Sequence, residues 1–272
     1  MEETGPKESH SLPDRFRTSK ERYGTLFTVK AVLKHLVRKV YTDNLIHRQS
    51  CASLSSIYGS TQFHLDVNSF LTSVCNINRG KLADFKKEFQ LLTAELERRH
   101  INSALSFPLD FGINMGSSFS LYVLTRHYKP ETIVETGVAN GVSTFFFLNA
   151  LIKNNSGTLI SLDITDKVAV LLEKEEEFNW ELRIIKPTKE SFREAMRTIG
   201  VCDFFLHDSD HSYAWQMHEY TTILPFIKKG GLMLSDDVDS SFAFTDFVNR
   251  NSLHKNSFTL FDGGKIFGAV KT

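Results

Sequence analysis

Acidic side chains stand at four places in this sequence where an apolar run gives way to polar residues. They are Glu135, Asp163, Asp208 and Asp210 with His211 beside them, and the pair Asp236-Asp237. Carboxylates gathered in one place repel one another unless something positive joins them. Beside the first acid lie Gly137 and Gly141, which let a chain turn sharply and bring backbone N–H groups against a ligand at a helix start. Asp163 follows Gly141 by 22 residues, close to the roughly 20-residue offset at which an acid after a second strand takes ribose hydroxyls. The turn lacks the middle glycine of G-x-G-x-x-G, the residue that admits a pyrophosphate. A nucleoside without phosphates fits this pattern, and a nicotinamide dinucleotide fits it poorly.

Strands and helices alternate around these residues. Short β-branched and apolar runs predict parallel strands over 132–135, 158–164, 181–185, 203–207 and 232–235. Helical patterns follow them at about 143–153, 168–177, 191–199, 213–227 and 241–250, with Lys228-Lys229-Gly230-Gly231 read as a helix stop. Runs at 257–261 and 265–270, separated by Asp262-Gly263-Gly264, predict a closing antiparallel hairpin. The expected fold is α/β: a doubly wound, Rossmann-like, mostly parallel seven-stranded sheet with an antiparallel C-terminal hairpin and an N-terminal helical extension. Ligands bind such sheets beyond the carboxyl ends of the strands, so the acids share one rim.

The rest of the chain bounds the function. With 32 Lys and Arg against 32 Asp and Glu there is no net charge, and nucleic acid is not an expected partner. Residues 1–20 show no periodicity and read as a mobile leader; residues 21–105 read as a helical region and 106–272 as the catalytic domain. Leu26, Val29, Leu33, Leu36, Val37 and Val40 recur at helical spacing opposite Lys30, Lys34, Arg38 and Lys39. That basic helix packs on the domain with a solvated face, or lies on a membrane or a phosphate-bearing partner. A second stripe, Leu82, Phe85, Phe89, Leu92 and Leu96, reads as core packing, whereas 50–78 is weakly patterned. Cys51, Cys75 and Cys202 form no C-x-x-C pattern, and no secretory signal or membrane span is present, so a cytoplasmic location is expected.

Glu135-Thr136-Gly137-Val138-Ala139-Asn140-Gly141-Val142-Ser143-Thr144, Asp208-Ser209-Asp210-His211-Ser212-Tyr213 and Gly230-Gly231-Leu232-Met233-Leu234-Ser235-Asp236-Asp237 resemble the motifs of class I S-adenosylmethionine-dependent methyltransferases. They are most similar to the metal-dependent O-methyltransferases acting on sugars and related natural products, over roughly Gly116 to the C-terminus. The resemblance implies that Glu135, Gly137, Gly141 and Ser143 hold the methionine part of S-adenosylmethionine. Asp163 would hold its ribose, the Thr188 to Ser191 loop its adenine, and Asp208 would lie on the cofactor side.

Asp208, Asp236 and Asp237 match the family's metal ligands, and their oxygens suit Mg²⁺. Asp210 is the preferred base and His211 its rival. His207 departs from the pattern; it reads as a strand-end histidine bonded to backbone, with ligation as the alternative. Tyr213, Trp215 and His218 face the pocket or merely pack. Other readings of the chain are metal-independent N- or C-methyl transfer and a non-catalytic binding module. The acceptor, a small hydroxylated molecule, is not spelled by any segment, and a homo-oligomer is left open.

Overall fold

A computed structural model describes residues 57–108 and 111–272. The expected leader, the basic helix and Cys51 lie outside the described residues. The strands are β1 (Gln62–His64), β2 (Thr132–Thr136), β3 (Thr158–Asp163), β4 (Trp180–Ile184), β5 (Cys202–His207), β6 (Ile227–Ser235), β7 (Ser257–Asp262) and β8 (Lys265–Lys271). The helices are α1 (Val67–Cys75), α2 (Arg79–Asn102), α3 (Met115–Tyr128), α4 (Val142–Asn154), α5 (Lys189–Ile199), α6 (Tyr213–Ile223) and α7 (Ala243–Arg250).

All eight strands form one sheet in the order β1-β7-β8-β6-β5-β2-β3-β4. Pairing is parallel except where β8 runs antiparallel to β6 and β7. The seven strands read from sequence are present. The eighth, β1, is a three-residue edge strand in the weakly patterned region, and it pairs with β7. Strand order reverses between β2 and β5, which opens the crevice where a ligand binds in such sheets.

The central strands are apolar on both faces because helices cover both, as in Ile133, Val134, Phe204, Phe205 and Leu206. The same core takes in α1 and α2, through Phe70, Leu71, Leu82, Phe85 and Phe89. Helix α4 is buried nearly all round, with Phe145, Phe146 and Phe147 fully enclosed. Cys75 and Cys202 are free and buried, and burial pushes their thiols up to about 11 and about 12.

Two expectations fail locally. No α-helix spans 168–177; only the short 3-10 turn Glu177–Asn179 precedes β4. Ala169 sits at φ 59°, and its N–H donates to the Ala139 carbonyl while that of Leu171 donates to Asn140. Hydrogen bonds to the glycine turn have replaced those of a helix. Lys228 to Gly231, expected to stop a helix, instead lie within β6, whose register with β5 shifts between Cys202 and Phe204.

Candidate active site

The turn after β2 is shaped by two glycines. Gly137 and Gly141 have φ of +82° and +95°, a region where a side chain is strained. A Cβ on Gly137 would stand 2.1 Å from the Asp208 carbonyl oxygen, so glycine alone lets this turn abut the end of β5. Gly141 is the N-cap of α4 and supplies no side-chain cap, which leaves first-turn N–H groups pointing out along the helix axis. Asn140, between the glycines, accepts the N–H groups of Ser106 and Phe107 and donates to the Phe107 carbonyl. That clamp fixes the segment before α3 to the turn.

Glu135 is fully buried and accepts the hydroxyls of Ser143 (3.1 Å), Thr144 (2.6 Å) and Ser161 (2.6 Å). Trp180 donates in turn to Ser161 at 2.7 Å. Burial pushes the Glu135 carboxyl up to about 7, outweighing the three hydroxyls that stabilise its anion. Asp163, at the end of β3, accepts the N–H groups of Val138, Ile164 and Thr165, and burial raises its carboxyl. Thr188 caps the α5 start: its Oγ1 accepts the Ser191 N–H, and Ser191 Oγ accepts from the Lys186 N–H.

Across the crevice, the ends of β5 and β6 bring the remaining acids together. Asp208 N–H donates to the Thr136 carbonyl and Asp236 N–H to the His207 carbonyl, so backbone fixes both loops. Asp237 holds φ 51°, a strained value for a non-glycine residue. His211 Nε2 lies 3.7 Å from Asp208 Oδ1 and 3.4 Å from Asp237 Oδ2. Lys265 Nζ lies 3.6 Å from Asp236 Oδ2 and 3.2 Å from Asp237 Oδ1. Burial, and then the charges of Asp236 and Asp237, push the Asp208 carboxyl well above the usual carboxylate range. The cluster is short of positive charge. Among the described residues, no three His, Cys, Asp or Glu side chains converge closely enough to hold a metal ion as they stand.

Residues 134–238 match a family model described as a methyltransferase domain. Over that stretch, which is less than half of the chain, the sequence is similar to methyltransferase domains. The MTB protein Rv0187, solved with its cofactor bound, aligns with 75% of this chain and 95% of its own at 15% identity, with a TM-score of 0.51. A Klebsiella pneumoniae protein assigned as an O-methyltransferase aligns with 66% of this chain and 89% of its own at 16% identity, with a TM-score of 0.50. At these identities the likeness is one of fold. No curated protein matches the sequence.

In this chain, Glu135, Gly137, Gly141, Ser143 and Asp163 surround one turn, and Asp208, Asp236, Asp237 and His211 gather beside it. Ser191 sits apart, at the β4 end. Asp210 is exposed and accepts the Ser212 N–H at 2.8 Å, at the start of α6. His207 is fully buried, and its Nδ1 pairs with Glu219 Oε2 at 2.7 Å, a carboxylate where a backbone partner was expected. Glu219 also accepts from Thr136, Ser209 and Trp215. Tyr213 donates to Asp246, and His218 pairs with the Lys189 carbonyl. Sequence reasoning passed over Asn140 and Lys265. Asn140 carried a local signal, an amide between two turn glycines; the placement of Lys265 depends on how the hairpin folds back.

Proposed function

We propose that this protein transfers the methyl group of S-adenosylmethionine to a hydroxyl of a small molecule, a sugar or another natural product, with a divalent metal assisting. The observation that carries this reading is His211 Nε2, which lies 3.4 Å and 3.7 Å from two carboxylates, one of them on the residue whose carbonyl abuts Gly137.

S-adenosylmethionine, when bound, supplies an electrophilic methyl group. Gly137, Gly141 and the uncapped start of α4 would hold its methionine part, with Glu135 and Ser143 behind them. Asp163 would take the ribose, the Thr188 to Ser191 loop the adenine, and Asp208 would close the cofactor side. The carboxylates of Asp208, Asp236 and Asp237 fit a hard cation in kind, being oxygen donors with too little positive charge among them. Mg²⁺, when bound there, supplies acidity to a hydroxyl. His211 takes the hydroxyl proton at Nε2, and the anions of Asp208 and Asp237 stabilise the resulting imidazolium. The acceptor oxygen thereby gains the methyl group and loses its proton. Asp210, whose Oδ1 accepts the Ser212 N–H, is the alternative base.

One observation favours a second reading. Lys265 already supplies a positive charge to Asp236 and Asp237, as metal-independent transfer would require. A methyl-transfer screen over sugar, catechol and polyketide hydroxyls, run with Mg²⁺ and with EDTA, separates the two. Metal-assisted transfer predicts loss of activity in EDTA and an inactive Asp208→Ala variant. His211→Ala should slow turnover about 10²- to 10⁴-fold, while Asp210→Ala changes it little. Activity indifferent to EDTA removes the metal, and full activity of Asp208→Ala removes the site.

A further inference from the structure

We propose that the outer edge of β4 is a self-association surface, on which two copies of this chain pair their β4 strands antiparallel about a twofold axis at Leu182 and join their sheets into one. β4 ends the sheet order, and among the described residues no strand lies beyond it. Ile185 N–H donates to the Asp163 carbonyl, and in the parallel register with β3 the backbone groups of Glu181 and Arg183 turn inward with it. Those of Leu182 and the N–H of Ile184 therefore point away from the sheet. An edge of this kind is a template for a further strand.

The order of side chains along β4 selects a second copy as that strand. Trp180 and Leu182 pack on Val138 and Val168, which leaves Glu181 and Arg183 together on the opposite face, with Arg183 Nε 2.6 Å from Glu181 Oε1 and both side chains partly exposed. Charges on an edge ordinarily keep other strands away. Opposite charges two residues apart do the reverse for a copy of the same strand. Antiparallel pairing centred on Leu182 sets Glu181 against the partner's Arg183, and Arg183 against the partner's Glu181. Parallel pairing in register would instead set like charges together. In the antiparallel register Leu182 N–H donates to the partner's Leu182 carbonyl, and Ile184 N–H to the partner's Trp180 carbonyl. Trp180 N–H stays with the Glu177 carbonyl of its own turn. The apolar side chains agree with this register: half-exposed Ile184 comes opposite the partner's Trp180, and Phe178, 93% exposed in the turn before β4, falls at the end of the pairing beside the partner's Ile184.

Sedimentation velocity of the full chain, from micromolar concentration upward, tests this. The unsubstituted protein should sediment as a dimer. Arg183→Glu, which sets Glu181 against a second carboxylate, should weaken the dimer at least about tenfold, and combining it with Glu181→Arg should restore the dimer. Ile184→Pro removes an outward N–H and no bond to β3, and should give a monomer. Where a variant fails to fold by circular dichroism, hydrogen exchange of the unsubstituted protein serves instead: the Leu182 and Ile184 amides should be protected in the dimer and exchange faster once dilution has separated it. A monomer throughout, as when another segment of this chain covers the edge, overturns the inference. So does a dimer that Arg183→Glu and Ile184→Pro leave intact, one that the charge exchange does not restore, or one whose Leu182 and Ile184 amides exchange equally fast before and after dilution, since its seam lies elsewhere.

Discussion

Glu135 is a buried acid whose carboxyl is pushed from its ordinary 4.5 up to about 7 by burial. In the unfolded chain it ionises near 4.5; in the fold it keeps its proton to about 7. Between those values the folded state holds a proton the unfolded state has released, so stability falls as pH rises through the window. Above it the full cost is present, roughly 3 kcal/mol by the size of such a shift. Glu135→Gln should therefore melt close to the unsubstituted protein at pH 5 and above it at pH 8, by about 2 to 4 °C per kcal/mol. Thermal melts of the cofactor-free protein at both pH values check this; identical differences at both would show that Glu135 does not titrate in this range. Glu135 and Asp163 could be read from sequence because a buried parallel strand ends where its apolar run ends, and an acid there has one place to go. Residue type and spacing do not choose between Asp210 and His211, since one residue's step through an irregular loop reverses which side chain faces inward.

Between elements, the clearest single tie is Arg99. This residue of α2 is buried, donates to the Leu171 carbonyl at 2.9 Å and to Glu176 at 2.6 Å, and lies over the Phe145 ring. Glu176 also accepts from Asn149 on α4 and from the Glu173 N–H. Arg99 thus fastens α2 to the irregular segment between β3 and β4, which hydrogen-bonds the glycine turn. Truncation leaves a buried carboxylate without its cation, so Arg99→Ala should cost about 3 to 5 kcal/mol. Urea unfolding measures it, and a loss under about 1 kcal/mol would show that water replaces the arginine. The helical pattern of 81–100 was plain in the sequence because its stripe is long and regular. The segment at 168–177 misled because Val168, Leu171 and Leu172 recur at helical spacing, yet the Ala169 and Leu171 N–H groups bond to the turn. Local periodicity cannot register a partner some thirty residues away.

At the scale of the whole molecule, the sheet was legible wherever strands are apolar and bounded by turns. β1 escaped because three residues among serines carry no pattern, and its pairing with β7 joins Gln62 to Phe258, far along the chain. No described helix is long and apolar enough to cross a membrane. The charge on the N-terminal segment stays a matter of sequence, since those residues lie outside the described ones. β8 is no appendage: its buried residues Ile266, Phe267, Ala269 and Val270 lie between β6 and β7, and Thr272 pairs with Gly230 and Gly231. Deleting residues 265–272 should leave β6 and β7 with bare edges, and size-exclusion chromatography should find the shortened chain aggregated. A monodisperse, cooperatively melting product would refute that. The position of β8 also orders events during synthesis. β8 follows both β6 and β7 in the chain yet lies between them, so the nascent chain keeps β6 and β7 apart until Lys265 to Lys271 have emerged to join them.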